Sequence, residues 1–137
     1  MKEEKIKHLE FIQNIISRMN TNSFQIKGIT ATIISALLAI TLAEKNINFL
    51  IITIFPIIIF WFLDSYYLCQ ERKFIGLYND IINDKENNLQ IFKMDISKYK
   101  TGKFRFINVS FSRTVFGFYF LTLMIIITIY LIYKCQS

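Results

Sequence analysis

Three apolar stretches, each about 20 residues long, limit what this sequence can fold into. They lie at about 26–43, 49–69 and 115–133, and the third contains no charged residue. A helix of this length crosses the hydrocarbon core of a bilayer, which is about 30 Å thick. A soluble domain of 137 residues would leave much of this apolar surface in water. We therefore expect an all-α membrane protein with three spanning helices, folded as a single domain over residues 1–137.

Lys and Arg residues are unevenly distributed among the segments that flank these stretches. Five lie in residues 1–28 and nine in residues 70–114, whereas the loop between the first two stretches and the tail after the third hold one each. Because positively charged loops stay in the cytoplasm, this alternation predicts a cytoplasmic N terminus and an external C terminus. The Ile-, Asn- and Lys-rich composition favours a bacterium, so the expected location is the inner (cytoplasmic) membrane.

Residues 3–20 form the first predicted element, an amphipathic cytoplasmic helix. Its apolar side chains recur at helical spacing, at Ile6, Leu9, Ile12, Ile16 and Met19. Polar residues at 20–23 are expected to end this helix before the first span, because their side chains compete for backbone hydrogen bonds.

The second apolar stretch is predicted to continue as a helix beyond the membrane, to residue 82. Residues 64–82 contain no proline, and they carry an apolar stripe of Phe74, Leu77, Tyr78 and Ile81. A helix over residues 49–82 would be about 51 Å long at about 1.5 Å per residue. Its projecting part would pack on the amphipathic helix at 3–20.

Residues 83–114 make up a basic cytoplasmic segment. The sequence NDKENN at 83–88 is typical of a solvated turn. Apolar and polar residues alternate at several points of 91–112, which permits a short β-hairpin turning near Thr101 and Gly102. An isolated hairpin is only marginally stable, so this one would have to pack on the helices or on a neighbouring subunit.

Cationic and aromatic side chains alternate along this basic segment. Single-stranded nucleic acid is bound by such a combination, since cations follow the phosphates and rings stack on the bases. The alternative is the ordinary charge of a cytoplasmic loop with affinity for anionic lipid, and the sequence alone favours it. The candidate ligand-binding residues are Lys93, Lys98, Tyr99, Lys100, Lys103, Phe104, Arg105 and Arg113, together with Arg72 and Lys73 on the projecting helix.

The first span carries small residues at every fourth position, namely Ala31, Ser35, Ala39 and Ala43. Small residues allow helices to approach closely in lipid, where packing replaces the hydrophobic drive. Two interpretations remain open. The small residues pack within one subunit, or they form a pore-lining or subunit-contacting face to which Thr30, Ser35, Ala39 and Thr41 belong.

Two features of the spans concern their shape and pairing. Pro56 lies in the middle of the second span, where it removes a backbone hydrogen bond; it is either a shape-determining kink or the hinge of a gate. Lys27 and Asp64 lie at the cytoplasmic ends of adjacent antiparallel spans. Ionisable groups at such depth are normally paired, so an ion pair between Lys27 and Asp64 is expected.

Nothing in the sequence predicts catalysis. No Cys and His residues have metal-ligand spacing, and no glycine-rich phosphate loop is present. The only histidine, His8, lies on the exposed-looking side of the first helix. We expect neither an enzyme, nor a metal site, nor a cofactor.

The run FWFLDSYYLCQERKFIGLYNDI, preceded by NSFQIKGITATIISALLAI, is similar to a group of small bacterial membrane proteins from anti-phage defence loci. Residues 8–82 resemble in particular the membrane effectors of the Hailong system, whose partner is a nucleotidyltransferase. The resemblance implies an oligomeric ion-conducting effector, which single-stranded DNA oligomers made by the partner hold shut until infection removes them. It transfers no binding residue, because no motif specifies one.

The leading hypothesis is a ligand-gated pore whose opening depolarises the inner membrane. Three spans cannot enclose an aqueous path alone, so the pore would be a homo-oligomer. Its expected partners are the lipid bilayer, further copies of the chain, a single-stranded DNA oligomer and a nucleotidyltransferase encoded nearby. The alternatives are a non-conducting membrane adaptor that anchors a soluble partner, and a holin-like lysis protein.

Overall fold

The computed structural model describes residues 2–84 and 92–136. These residues form helices and connecting loops and contain no strand. The elements are α1 (Lys2–Glu44), α2 (Asn48–Asn83), a 3-10 turn (Gly102–Phe104), α3 (Phe106–Ser110) and α4 (Arg113–Gln136).

Three of these helices, α1, α2 and α4, are long and apolar enough to cross a membrane. The chain is therefore a multi-pass membrane protein, as the three apolar stretches predicted. The second stretch and its predicted extension, residues 49–82, lie within the unbroken helix α2. The predicted turn at 83–88 begins where α2 ends at Asn83, and its residues 85–88 lie outside the described part of the chain.

The first helix differs from the prediction, since α1 runs through residues 20–23 without a break. The polar side chains there do not end the helix, because they do not replace its backbone hydrogen bonds. Asn20 Nδ2 donates to Glu71 Oε1 at 3.2 Å, and Ser23 Oγ donates to Asp64 Oδ1. Thr21 Oγ1 donates to the carbonyl of Ser17, one turn back, at 2.9 Å. The amphipathic helix at 3–20 and the span at 26–43 are thus one helix.

Helices α1 and α2 form an antiparallel pair, because only residues 45–47 separate them. The buried positions of α1 are separated by four, seven or eleven residues, which keeps them on one face of the helix. They are His8, Ile12, Ser23, Thr30, Ile34 and Thr41. One face of α1 therefore packs against α2 both inside and outside the apolar region.

Helix α4 completes the apolar half of the molecule. Its residues Val115, Tyr119 and Ile126 share a buried cluster with Ile34 of α1 and with Leu50 and Ile57 of α2. Near the far end of α4, the Tyr133 hydroxyl donates to the carbonyl of Lys45 in the loop between α1 and α2. The three spans are thus joined at that end too.

The remaining residues form what we call the head, namely residues 2–22, 65–84 and 92–112. Its core contains Ile12 of α1, Leu77 and Ile81 of α2, and Tyr99. The predicted hairpin is wrong for residues 92–112, which hold the 3-10 turn and α3 instead. This segment is held to the rest of the head by the burial of Tyr99 and Val109, at 7% and 0% exposure, and not by hydrogen bonds between strands.

Candidate functional site

A polar seam connects α1 and α2 at the boundary between the head and the apolar half. Lys27 Nζ lies 2.6 Å from Asp64 Oδ2, and Asp64 is completely buried. Ser23 Oγ donates to the other carboxylate oxygen, Oδ1, and accepts from Lys27 Nζ at 3.0 Å. This is the pairing that the depth of the two charges predicted, with Ser23 as an unpredicted third member. The arrangement satisfies a carboxylate that would otherwise be costly to bury.

The seam continues into the head through Asn20 and Glu71. Glu71 is 9% exposed, and its Oε1 accepts the hydrogen bond from Asn20. Two buried carboxylate oxygens, Asp64 Oδ2 and Glu71 Oε2, have no well-oriented hydrogen bond from the described residues, although Asp64 Oδ2 has the charge of Lys27 beside it. These contacts fix the register of α1 against α2.

The four residues proposed for a pore or packing face do not share one face of α1. Thr30 and Thr41 are buried against the rest of the subunit, and each donates its hydroxyl to a carbonyl one turn back. Ser35 and Ala39 are exposed. The physical reason is helical geometry, since Thr30 and Ser35 lie about 140° apart around the axis at 3.6 residues per turn.

The small residues of the first span instead form a continuous exposed face, which we call the small-residue face. It lies opposite the buried face of α1 and points away from α2. Its members are Gly28, Ala31, Thr32, Ser35, Ala36, Ala39 and Ala43, and all of them are exposed. Packing within one subunit therefore accounts for Thr30 and Thr41 and does not account for the small-residue face.

Pro56 is half-buried in α2, and the helix continues through it from Asn48 to Asn83. A proline in this position leaves the carbonyl four residues back without its helical hydrogen bond. The hinge at Pro56 stays a prediction.

Two of the proposed ligand-binding residues belong to the core of the head. The Tyr99 ring stacks edge-on against Phe104, with ring centroids 5.1 Å apart. A Cβ atom on Gly76 would lie 2.9 Å from two Tyr99 ring atoms, so a glycine is needed at this position of α2. The Tyr99 ring is consequently covered and cannot stack on a base in this conformation.

Lys98 and Tyr99 converge on one carboxylate of α2. Lys98 Nζ and the Tyr99 hydroxyl both donate to Asp80 Oδ2 at 2.6 Å. The hydrogen bonds from Lys98 and Tyr99 lower the pKa of Asp80, and the same contact with Asp80 raises the pKa of Lys98. Lys98 thus ties the basic segment to α2 and is less available to a ligand than its neighbours.

The other cations of the basic segment are exposed, and none has an ion pair within the described residues. They are Lys93, Lys100, Lys103, Arg105 and Arg113. Arg72 and Lys73 on α2 are half-buried, and Arg72 Nη1 lies 3.5 Å from the carbonyl of Lys103. Most of the predicted cationic surface is therefore present, divided between the far part of the head and the part next to the spans.

His8 contradicts the expectation of an exposed position, since only 2% of it is accessible. The backbone N–H of Phe92 donates to His8 Nδ1 at 3.3 Å, and the two rings lie 5.6 Å apart. Burial lowers the pKa of His8. No local pattern predicts this contact, because its two residues are 84 positions apart.

Ser23, Gly76 and His8 are the residues that sequence reasoning missed. Ser23 lay within a predicted helix break, and its four-residue spacing from Lys27 was the available signal. Within residues 2–84 and 92–136, no three His, Cys, Asp or Glu side chains are grouped to hold a metal ion. No protein family matches the chain, and no curated protein or solved structure matches it either.

Proposed function

We propose that this chain assembles into a homo-oligomeric, ligand-gated pore of the bacterial inner membrane that acts in anti-phage defence. The head and the N terminus face the cytoplasm, where the Lys- and Arg-rich segments favour them. Opening depolarises the membrane. The observation that carries the proposal is the small-residue face, which lies within a span and has no partner in its own subunit.

The composition of this face suits contact with a second copy. Small side chains let helix backbones approach closely, and Thr and Ser hydroxyls add polar groups to a helix interface or a water-filled path. Here Thr32 and Ser35 lie among alanines and Gly28, while the opposite face of α1 is already occupied by α2. In the oligomer, α1 is therefore the helix that contacts neighbouring subunits or lines the pore.

The ligand of the closed state is a single-stranded DNA oligomer supplied by a nucleotidyltransferase. Support comes from the exposed cations Lys93 and Lys100 in the head and from the resemblance of residues 8–82 to the Hailong effectors. A ligand holds a gate shut only by binding the closed state more tightly than the open state. Both α1 and α2 run unbroken from the head into the spans, so a shift of the head reaches the small-residue face without passing a flexible joint.

Cysteine labelling of the small-residue face tests the proposal. In a Cys135→Ser background, Ser35→Cys is expected to cross-link between subunits on oxidation and to make depolarisation sensitive to a membrane-impermeant thiol reagent. The control is Leu121→Cys in the middle of α4, which is exposed at 61% and lies outside the small-residue face. Depolarisation is read with a membrane-potential dye in cells. Equal behaviour of the two cysteines would contradict the proposal.

A non-conducting adaptor is the second candidate, and one feature of the head favours it. Phe11 and Phe92 are exposed at 57% and 51%, and their rings lie 6.5 Å apart, which leaves an apolar spot for a soluble partner. An adaptor predicts an unchanged dye signal under every condition, with the partner retained on the membrane. A dye response that needs Ser35 and not Phe11 or Phe92 excludes it.

A further inference from the structure

An apolar groove runs between α2 and α4 on the outside of the subunit. It is lined by Ile58 and Trp61 of α2, by Phe111, and by Phe116, Phe120 and Leu123 of α4. Three of its rings form a ladder, since Phe111 and Phe116 lie 5.8 Å apart and Phe116 and Phe120 are stacked at 5.4 Å. The groove is almost wholly apolar, as contact with a hydrocarbon chain requires.

The groove ends where α3 crosses the edge of the spans. Trp61 Nε1 donates to the carbonyl of Ser110 at 3.2 Å and holds the end of α3 against α2. Trp61 lies only three residues before Asp64, the first charged residue of α2. We therefore place α3 near the level where the acyl chains meet the head groups.

Two arginines flank α3 in the sequence, close to the groove residue Phe111. Arg113 opens α4, is exposed, and shares a helix face with Phe116 and Phe120, which lie three and seven residues further on. Arg105 directly precedes α3 and is also exposed. No Asp or Glu follows Asp95 in the sequence, and neither arginine has an ion pair within the described residues. The charge complements an anionic head group.

Exposed apolar side chains lie among these cations. Ile107, within the short helix α3, is 53% exposed, and Phe111, which directly follows α3, is 60% exposed. Such a mixture is unfavourable in water and suits the interface of a bilayer, where apolar groups enter the acyl region and Arg reaches up to the phosphates. The surroundings favour lipid as the occupant rather than a nucleic acid in solution.

We propose that the groove between α2 and α4 is a binding site for one anionic phospholipid, with an acyl chain along Trp61, Phe116 and Phe120 and the head group on Arg105 and Arg113. The site requires only that the chain spans a membrane and does not depend on pore formation. It divides the basic segment into two surfaces. Arg105 and Arg113 hold lipid, and Lys93 and Lys100 remain for a soluble ligand.

Trp61 is the only tryptophan of the chain, so its fluorescence reports on this site alone. The full-length protein is reconstituted in phosphatidylcholine vesicles that contain a fraction of lipid brominated near the head group. Brominated phosphatidylglycerol is expected to quench Trp61 with about thirtyfold higher apparent affinity than brominated phosphatidylcholine, since each of the two arginines contributes about 1 kcal/mol near an anionic surface. Equal quenching by the two lipids overturns the proposal.

Paired variants locate the site. Arg105→Gln with Arg113→Gln is expected to reduce the preference for phosphatidylglycerol to about onefold, whereas Lys93→Gln with Lys100→Gln, an equal loss of charge elsewhere in the head, leaves it unchanged. Circular dichroism confirms that both variants are folded. Equal losses in the two variants would show that the preference follows total charge, and they would overturn the assignment to the groove.

Discussion

Lys27 Nζ lies 2.6 Å from Asp64 Oδ2, and this ion pair joins the two longest helices where the spans meet the head. Asp64 has no accessible surface, whereas Lys27 is 19% exposed. The pair is thus asymmetric. Loss of Lys27 leaves a fully buried carboxylate with only the Ser23 hydroxyl as a partner. Loss of Asp64 leaves an ammonium group that the flexible Lys27 side chain can extend into water.

The asymmetry predicts the effect of substitution. Lys27→Met should lower the free energy of unfolding by about 3–5 kcal/mol, because it leaves an uncompensated buried charge. Lys27→Met with Asp64→Asn should recover most of this loss, since the amide oxygen still accepts from Ser23. Unfolding in detergent micelles, followed by circular dichroism, measures both.

The control for this prediction is an exposed pair on the same helix. Lys7 and Glu3 lie 3.3 Å apart, with side chains 60% and 83% exposed. Lys7→Met should change stability by less than about 0.5 kcal/mol. Equal decreases in the free energy of unfolding for Lys27→Met and Lys7→Met would show that the buried pair contributes no more to stability than the exposed pair.

Gly76 is predicted to be intolerant of a side chain. In Gly76→Ala, the new Cβ would lie 2.9 Å from Tyr99 ring atoms and 3.1 Å from Phe104 Cε1. The Tyr99 ring cannot swing away without losing its bond to Asp80, so overpacking should cost about 1–3 kcal/mol. Hydrogen exchange should rise in residues 92–105.

Gly117 in α4 provides the matched control, because a Cβ there would meet nothing within 4 Å. Gly117→Ala should be neutral or stabilising by up to about 1 kcal/mol, since alanine favours the helix. A Gly76→Ala protein as stable as Gly117→Ala would disprove the close packing of Tyr99.

His8 should make the head sensitive to mild acid. Burial lowers its pKa below the unfolded value of about 6.5. Between the two pKa values the unfolded chain binds a proton that the folded head does not. The stability contributed by neutral His8 is therefore complete above about pH 6.5 and is lost as pH falls towards the lowered pKa.

The test is to measure the free energy of unfolding at about pH 7.5 and about pH 5.5, on either side of the histidine titration. His8→Asn retains an acceptor for the Phe92 N–H. Its free energy of unfolding should be lower than that of the unsubstituted protein, and it should not change between the two pH values. The same pH slope in both proteins would assign the effect to another group.

The structure sharpens the expectation for the basic segment. Lys98 is bound to Asp80, so reversal of its charge would damage the head as well as any ligand site. Lys93→Glu with Lys100→Glu should weaken binding of single-stranded DNA and lower the salt slope by about 0.7 per lost phosphate contact. Fluorescence anisotropy across a salt series measures this, and an unchanged slope would remove the two lysines from the ligand site.

The spans and the buried ion pair could be predicted from the sequence because their cause is local. A long uncharged run has few alternatives to a bilayer, and the depth of Lys27 and Asp64 follows from the run lengths alone. The predicted helix at 49–82 is likewise a matter of local composition, and it lies within α2.

The head could not be predicted in the same way, because its structure depends on distant partners. Residues 20–23 stay helical through contacts with Asp64 and Glu71, and His8 is buried by contact with Phe92. The alternation of apolar and polar residues at 91–112 does not indicate that Tyr99 is buried, because the space for its ring is provided by the distant Gly76. No local pattern distinguishes these contacts from a solvated turn, an exposed histidine or a strand.

The most direct test of the pore is the current across a planar bilayer that contains the purified protein. We expect discrete current steps, which Ser35→Trp on the small-residue face removes while membrane insertion persists. Single-stranded DNA oligomers should suppress the steps from the side that carries the head and not from the other side. A silent bilayer at every protein concentration, with insertion verified, would contradict the account.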